Sequence, residues 1–122
     1  MSGHLVFGQQ GEDLAASYLA GKGLSLIDRN VRTPYGEIDL ILLDGDVVVF
    51  TEVKARSTRS YGGPWAAVGR EKRRRISRAA QAFLIKKGWQ DRAARFDVVA
   101  IVMEDSKPSL DHLVDAFDLV MD

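Results

Sequence analysis

The 122 residues, 46% hydrophobic and 28% charged, suit one domain (1–122) with a buried core and are not the composition of a disordered chain. The absence of cysteine excludes disulfides and thiolate zinc sites, and no apolar run approaches the roughly 20 residues of a membrane helix. Formal charge sums to zero, but residues 54–95 hold 13 basic and 2 acidic side chains, between flanks with 8 acidic to 3 basic and 7 acidic to 1 basic, a pattern that fits either a polyanion-binding surface or a solvated helix face.

The N-terminal MSGHLVFGQQGED lacks the basic start and long apolar stretch of a secretory signal, so a cytoplasmic protein is expected. EDLAASYL predicts a helix over Glu12–Leu19. Leu14, Ala15, Tyr18 and Leu19 recur on one face, and Gly21 and Gly23 end it. At the start of that helix, Glu12 would complement the helix dipole. Leu24–Arg32 reads as a first strand, and Pro34-Tyr35-Gly36 as a turn. Two further strands follow, about Glu37–Leu43 and Val47–Lys54, then a polar loop from Ser57 to about Trp65. Within that loop Tyr61–Trp65 could be a DNA-contacting flap, or Trp65 could pack under the next helix.

A second helix is expected over Gly69–Lys87, with Lys72, Ile76, Ala79, Ala80, Phe83 and Leu84 on its inward stripe. Arg95–Met103 reads as an interior strand in which Asp97 anchors structure or a basic partner. In the tail, Leu110, Leu113, Val114 and Phe117 have helical spacing, but Leu113–Phe117 also suits a strand. His4 and His112 are too isolated to argue as ligands. The whole predicts an α/β fold with a mixed sheet flanked by helices.

The chemistry concentrates in GEIDLILLDGDVVVFTEVKAR, residues 36–56, where Asp39, Glu52 and Lys54 interrupt apolar strands. Alternation puts Glu37, Asp39 and Ile41 on one face, and Val48, Phe50, Glu52 and Lys54 on one face. A two-residue Gly45-Asp46 turn of type II′ places Asp39 opposite Glu52. An Asp44-Gly45 turn places Glu37 there instead, and a three-residue loop sends the two acids to opposite faces. Facing carboxylates repel and are costly to bury unpaired. Lys54 supplies one positive charge, and Mg²⁺ or Mn²⁺ could supply the rest, since one or two carboxylates with water suit such an ion. The set suits metal-assisted phosphodiester hydrolysis, with Lys54 holding the attacking water or offsetting phosphorane charge. Solvated strand charges are the competing reading.

Asp39 with Glu52-Val53-Lys54 resembles the PD-(D/E)xK signature of restriction-endonuclease-like nucleases. With Gly8, Gly11-Glu12, Asn30, Gly36–Ile41, Phe50–Arg56, Lys72 and Arg95-Phe96-Asp97, the chain resembles the YraN-like family of small bacterial proteins, related in fold to archaeal Holliday junction resolvases. The signature's proline is replaced by Ile38. The resemblance implies a restriction-endonuclease-like core of about five strands in the order α-β-β-β-α-β-β, the last strand near His112–Phe117. It implies catalytic roles for Asp39, Glu52, Lys54 and Glu12, a Mg²⁺ or Mn²⁺ site at Asp39, Glu52 and Val53, and Glu37 in support.

Arg56, Arg59, Lys72, Arg73, Arg74, Arg75 and Arg78 are expected to meet nucleic-acid phosphates. Lys72, on the inward stripe, should reach the carboxylates or a phosphate rather than snorkel out. The expected activity is a metal-dependent endonuclease acting on DNA, on branched or repair intermediates. The alternatives are a module that binds nucleic acid or protein without cutting, and a nuclease of RNA. Junction-cutting relatives tend to be dimers, which leaves a homodimer open.

Overall fold

Strand and helix signals alternate along the chain, and the computed structural model assembles them as expected from that order. It describes residues 3–56, 69–104 and 107–118; Arg59 and the loop expected over Ser57–Trp65 lie outside these. The elements run α1 (Gly3–Gly21), β1 (Ser25–Thr33), β2 (Gly36–Asp44), β3 (Val47–Arg56), α2 (Arg70–Lys87), β4 (Ala94–Glu104) and β5 (Lys107–Leu113). The five strands form one sheet in sequence order, antiparallel except for the parallel pair β3 and β4, which α2 connects. No described helix is long and apolar enough to cross a membrane.

Each face of the sheet is covered by one helix. Ile76, Ala79, Ala80 and Phe83 of α2 pack with Ile41, Val48, Phe50, Phe96 and Val98, while Ala15 and Leu19 of α1 pack with Leu40, Leu42, Val49, Val99 and Ile101. Strands buried on both faces need apolar residues at nearly every position, as VVVF and DVVAIV supply. α2 ends where Gly88 adopts φ 71° and the N–H groups of Gly88 and Trp89 bond back to the carbonyls of Ile85 and Leu84.

Two expectations need correction. The first helix begins at Gly3 rather than near Glu12, so Glu12 lies mid-helix and gains nothing from the dipole. Glycines at 3, 8 and 11 lower helix propensity, but tertiary packing overrides it: Gly11 is buried against β3. The last strand is Lys107–Leu113, earlier than His112–Phe117. Leu113 and Val114 are exposed, Asp115 turns the chain with φ 54°, and only then does Phe117 enter the core, stacked on Phe96 at 4.9 Å. Pro108 is tolerated in β5 because that strand is an edge.

Candidate active site

The β2–β3 turn sets the geometry. Asp44 pairs with Val47, and of the two loop residues only Gly45 has a positive φ, 60°, as a type II′ turn requires. This register brings Asp39 to the level of Glu52, but the ladder stops one step earlier, at Leu40–Thr51. In place of a further backbone pair, the Val53 N–H donates to Asp39 Oδ2 at 2.8 Å.

The neighbouring strand is irregular at the same level. Asn30, which the β1–β2 register places across from Asp39, has φ 52°. Alternation along β2 also breaks there, since Ile38 packs on the α2 side and Leu40 on the α1 side. Strict alternation around Asp39 was expected and is not found. The kink lets the Asp39 carboxyl feel groups from both layers, Glu12 of α1 and Lys72 of α2.

Around Asp39 the charges are tightly grouped. Glu52 Oε1 is 2.6 Å from Lys72 Nζ and 3.9 Å from Lys54 Nζ, and the Glu52 and Lys54 side chains are only 11% and 15% exposed. Lys72 thus points inward to a carboxylate, as its place on the helix stripe predicts. Burial, reinforced by the Glu52 charge, pushes the Asp39 carboxyl up to about 7, against the pull of the Val53 N–H and Lys72. Burial pulls Lys72 down, but the hydrogen bond to Glu52 and the surrounding negative charge win, and its pKa is raised.

α1 brings the third carboxylate. The Asn30 amide donates to Glu12 Oε1 at 2.9 Å and, at 3.5 Å, to Glu37 Oε1; Arg29 Nη2 lies 3.6 Å from Glu12 and 2.8 Å from Asp13. Gly11 decides how close this helix sits: a Cβ there would stand 2.9 Å from the Ala55 Cβ, so only glycine fits the approach. Glu37 lies at the rim, 3.3 Å from Arg32 Nε, and supports the site through Asn30 rather than by contact with Asp39.

Lys72 is the one basic residue of α2 joined to these acids by a described ion pair. Arg73 lies over the Phe117 ring at 5.4 Å, Arg74 pairs with Glu71 at 3.3 Å, and Arg75 and Arg78 are exposed. The side chain of Arg56 lies outside the described residues.

Among the described residues no three His, Cys, Asp or Glu side chains form a group able to hold a metal ion. A cation here would therefore rest on Asp39 and Glu52 with water. That donor set fits Mg²⁺ or Mn²⁺, and Asp39, held as a poor anion beside Glu52, is a carboxylate that a divalent charge would relieve. Val53 meets this pair through its backbone N–H, which donates to Asp39 Oδ2.

Sequence reasoning named Asn30 and Gly11 only as motif residues and set His112 aside. His112 Nε2 lies 2.7 Å from Asp97 Oδ2, while its Nδ1 accepts from Lys22 at 3.0 Å. Asn at position 30 was a weak signal, as the non-glycine residue most tolerant of positive φ; no local signal marks the His112–Asp97 pair.

The model of the uncharacterised protein family UPF0102 matches residues 11–101, a span that includes Glu12, Asn30, Asp39, Glu52, Lys54 and Lys72. A UPF0102 protein of Geobacter sulfurreducens is 47% identical over 93% of this chain and 90% of its own length. Others from Anaeromyxobacter dehalogenans (44% identical, 95% and 87% covered) and Rhodococcus jostii (46% identical, 96% and 100% covered) match along nearly the same extent. The chain belongs to the UPF0102 family, as its resemblance to the YraN-like proteins implied.

Proposed function

We propose that the protein is a Mg²⁺- or Mn²⁺-dependent endonuclease that hydrolyses DNA phosphodiester bonds, on branched or repair intermediates in the cytoplasm. The observation that carries this reading is the pair Asp39 and Glu52, half-buried where the β2–β3 ladder opens and flanked by Lys54 and Lys72. Asp39, with a single described donor beside the Glu52 charge, is costly to keep for structure alone. The resemblance to PD-(D/E)xK nucleases supports the same assignment.

A bound cation would supply positive charge to a phosphate oxygen and acidify an attacking water. Asp39 and Glu52 would hold it, and the Val53 N–H fixes the Asp39 carboxylate for that role. Lys72 keeps the Glu52 carboxylate in one orientation. Lys54, mostly buried beside Glu52, holds the attacking water or offsets the charge that develops on phosphorus. Glu12, pinned by Asn30, adds an acceptor on the α1 side.

A second reading, a module that binds nucleic acid without cutting, draws on Lys72, whose ammonium already occupies Glu52 Oε1. Labelled single-stranded, duplex, forked and four-way-junction DNA, incubated with Mn²⁺, separates the two. Cleavage by wild type and none by Glu52→Gln is the expected result. Equal cleavage by both proteins rejects the mechanism, and salt-sensitive binding without cleavage selects the second reading. An RNA panel run alongside tests the preference for DNA.

A further inference from the structure

A groove of about 250 Å³ opens beside the acidic pair, lined by Gly36, Glu37, Lys72, Arg75 and Ile76. Lys72 belongs to both places: it lines this groove and its ammonium reaches Glu52. Arg75 follows one turn later on α2, about 5–6 Å away between Cβ atoms for such a spacing. It is exposed and, among the described residues, makes no ion pair or hydrogen bond, whereas Arg73 and Arg74 are engaged with Phe117 and Glu71. A guanidinium whose donors meet no acceptor among the described residues, at the wall of a polar groove, suits a phosphate.

The opposite wall is built to stay open. Gly36 has φ 148°, a conformation that side chains rarely adopt, and a Cβ there would lie 3.9 Å from the Arg75 Cβ. A side chain there would begin in van der Waals contact with the Arg75 stem. Glu37 is the acidic member of the lining, and Arg32 at 3.3 Å and Asn30 at 3.5 Å draw on its charge. An anion entering the groove is thus directed to the Arg75 side.

We propose that this groove is a second phosphate subsite. It takes the phosphodiester one nucleotide step from the one presented to Asp39 and Glu52, with Arg75 as its clamp. The substrate class is then a strand whose successive phosphates both lie against α2, engaged at two adjacent linkages rather than one. This rests on the nucleic-acid reading above but not on catalysis.

The test measures binding of thymidine oligonucleotides with one, two and three phosphodiester linkages, in the absence of divalent metal, so cleavage plays no part. Wild type should gain several-fold in affinity from one linkage to two, beyond the twofold that counting sites provides. Arg75→Gln should lose that gain, and with a longer strand its log-affinity against log-salt slope should be shallower by about 0.7. Lys86→Gln, at the far end of the same helix, should behave as wild type. A gain retained by Arg75→Gln overturns the subsite, as does a wild type that shows none or binds no strand. Cleavage without the linkage gain would leave the nuclease reading standing and remove this one; the gain without cleavage would do the reverse.

Discussion

Two acids inside the sheet of this protein, one fully and one half-buried, are treated in opposite ways. Asp97, fully buried on β4, accepts four hydrogen bonds: from Arg95 Nε and Nη2, from His112 Nε2, and from the Asp115 N–H. Arg95 continues to Asp44 at 2.8 Å, and His112 to Lys22 at 3.0 Å. Asp39, on β2, has one described hydrogen bond and two carboxylates for neighbours, and burial holds it near 7. Donors saturate the buried Asp97 charge, while Asp39 has a single described donor, the environment expected of a carboxyl that the proposed function would use.

The largest effect should come from breaking the saturated hub. Asp97→Ala strands the Arg95 and His112 partners and should cost on the order of 3–5 kcal/mol, read from urea unfolding. The same measurement on Asp39→Asn should move the other way. The folded protein holds the Asp39 proton up to about 7, against an ordinary value of 3.8, so wild type loses stability as pH rises between those values and stays low above them. Asp39→Asn should remove that decline and be more stable at pH 8 by about 2–4 kcal/mol, and Mn²⁺ should stabilise wild type but not the variant. A wild type with no decline over that range would place Asp39 among the satisfied charges.

Smaller changes sharpen how the site is held. Gly11→Ala puts a methyl where Ala55 already stands and should cost about 1–3 kcal/mol while displacing Glu12. Asn30→Gly keeps the backbone comfortable at φ 52° and should alter stability by no more than about 0.5 kcal/mol. Its effect should appear instead in Mn²⁺ affinity, lowered by about tenfold through the freed Glu12, as measured by calorimetry. An unchanged affinity would make Asn30 a turn residue and nothing more.

Much of this was legible where local chemistry decides. The Gly45-Asp46 turn was among those the DGD sequence offered, and it is the one that brings Asp39 to the level of Glu52, while helical spacing from Ile76 put Lys72 on the inner face. The same tools failed where distant contacts decide. Spacing among Leu110, Leu113, Val114 and Phe117 left helix and strand equally open, and pairing with β4 decides for a strand that ends at Leu113, with Leu113 and Val114 exposed. The first turns of α1 carry three glycines, and one of them is there for β3 rather than for the helix. His112 meets Lys22 across ninety positions of chain, a distance at which periodicity is silent.

The crooked course of β1 has a further consequence. As an edge strand it would offer its unpaired backbone groups to any second sheet, but the ladder shifts between Leu26 and Asp28 and the chain twists into a left-handed residue at Asn30. With Leu26 and Ile27 exposed, that interruption denies a neighbouring chain a straight template and so guards against amyloid-like association. The defect that aims the Asn30 amide at Glu12 is also the guard. Straightening the strand would spoil the aim and make the molecule stickier in one step.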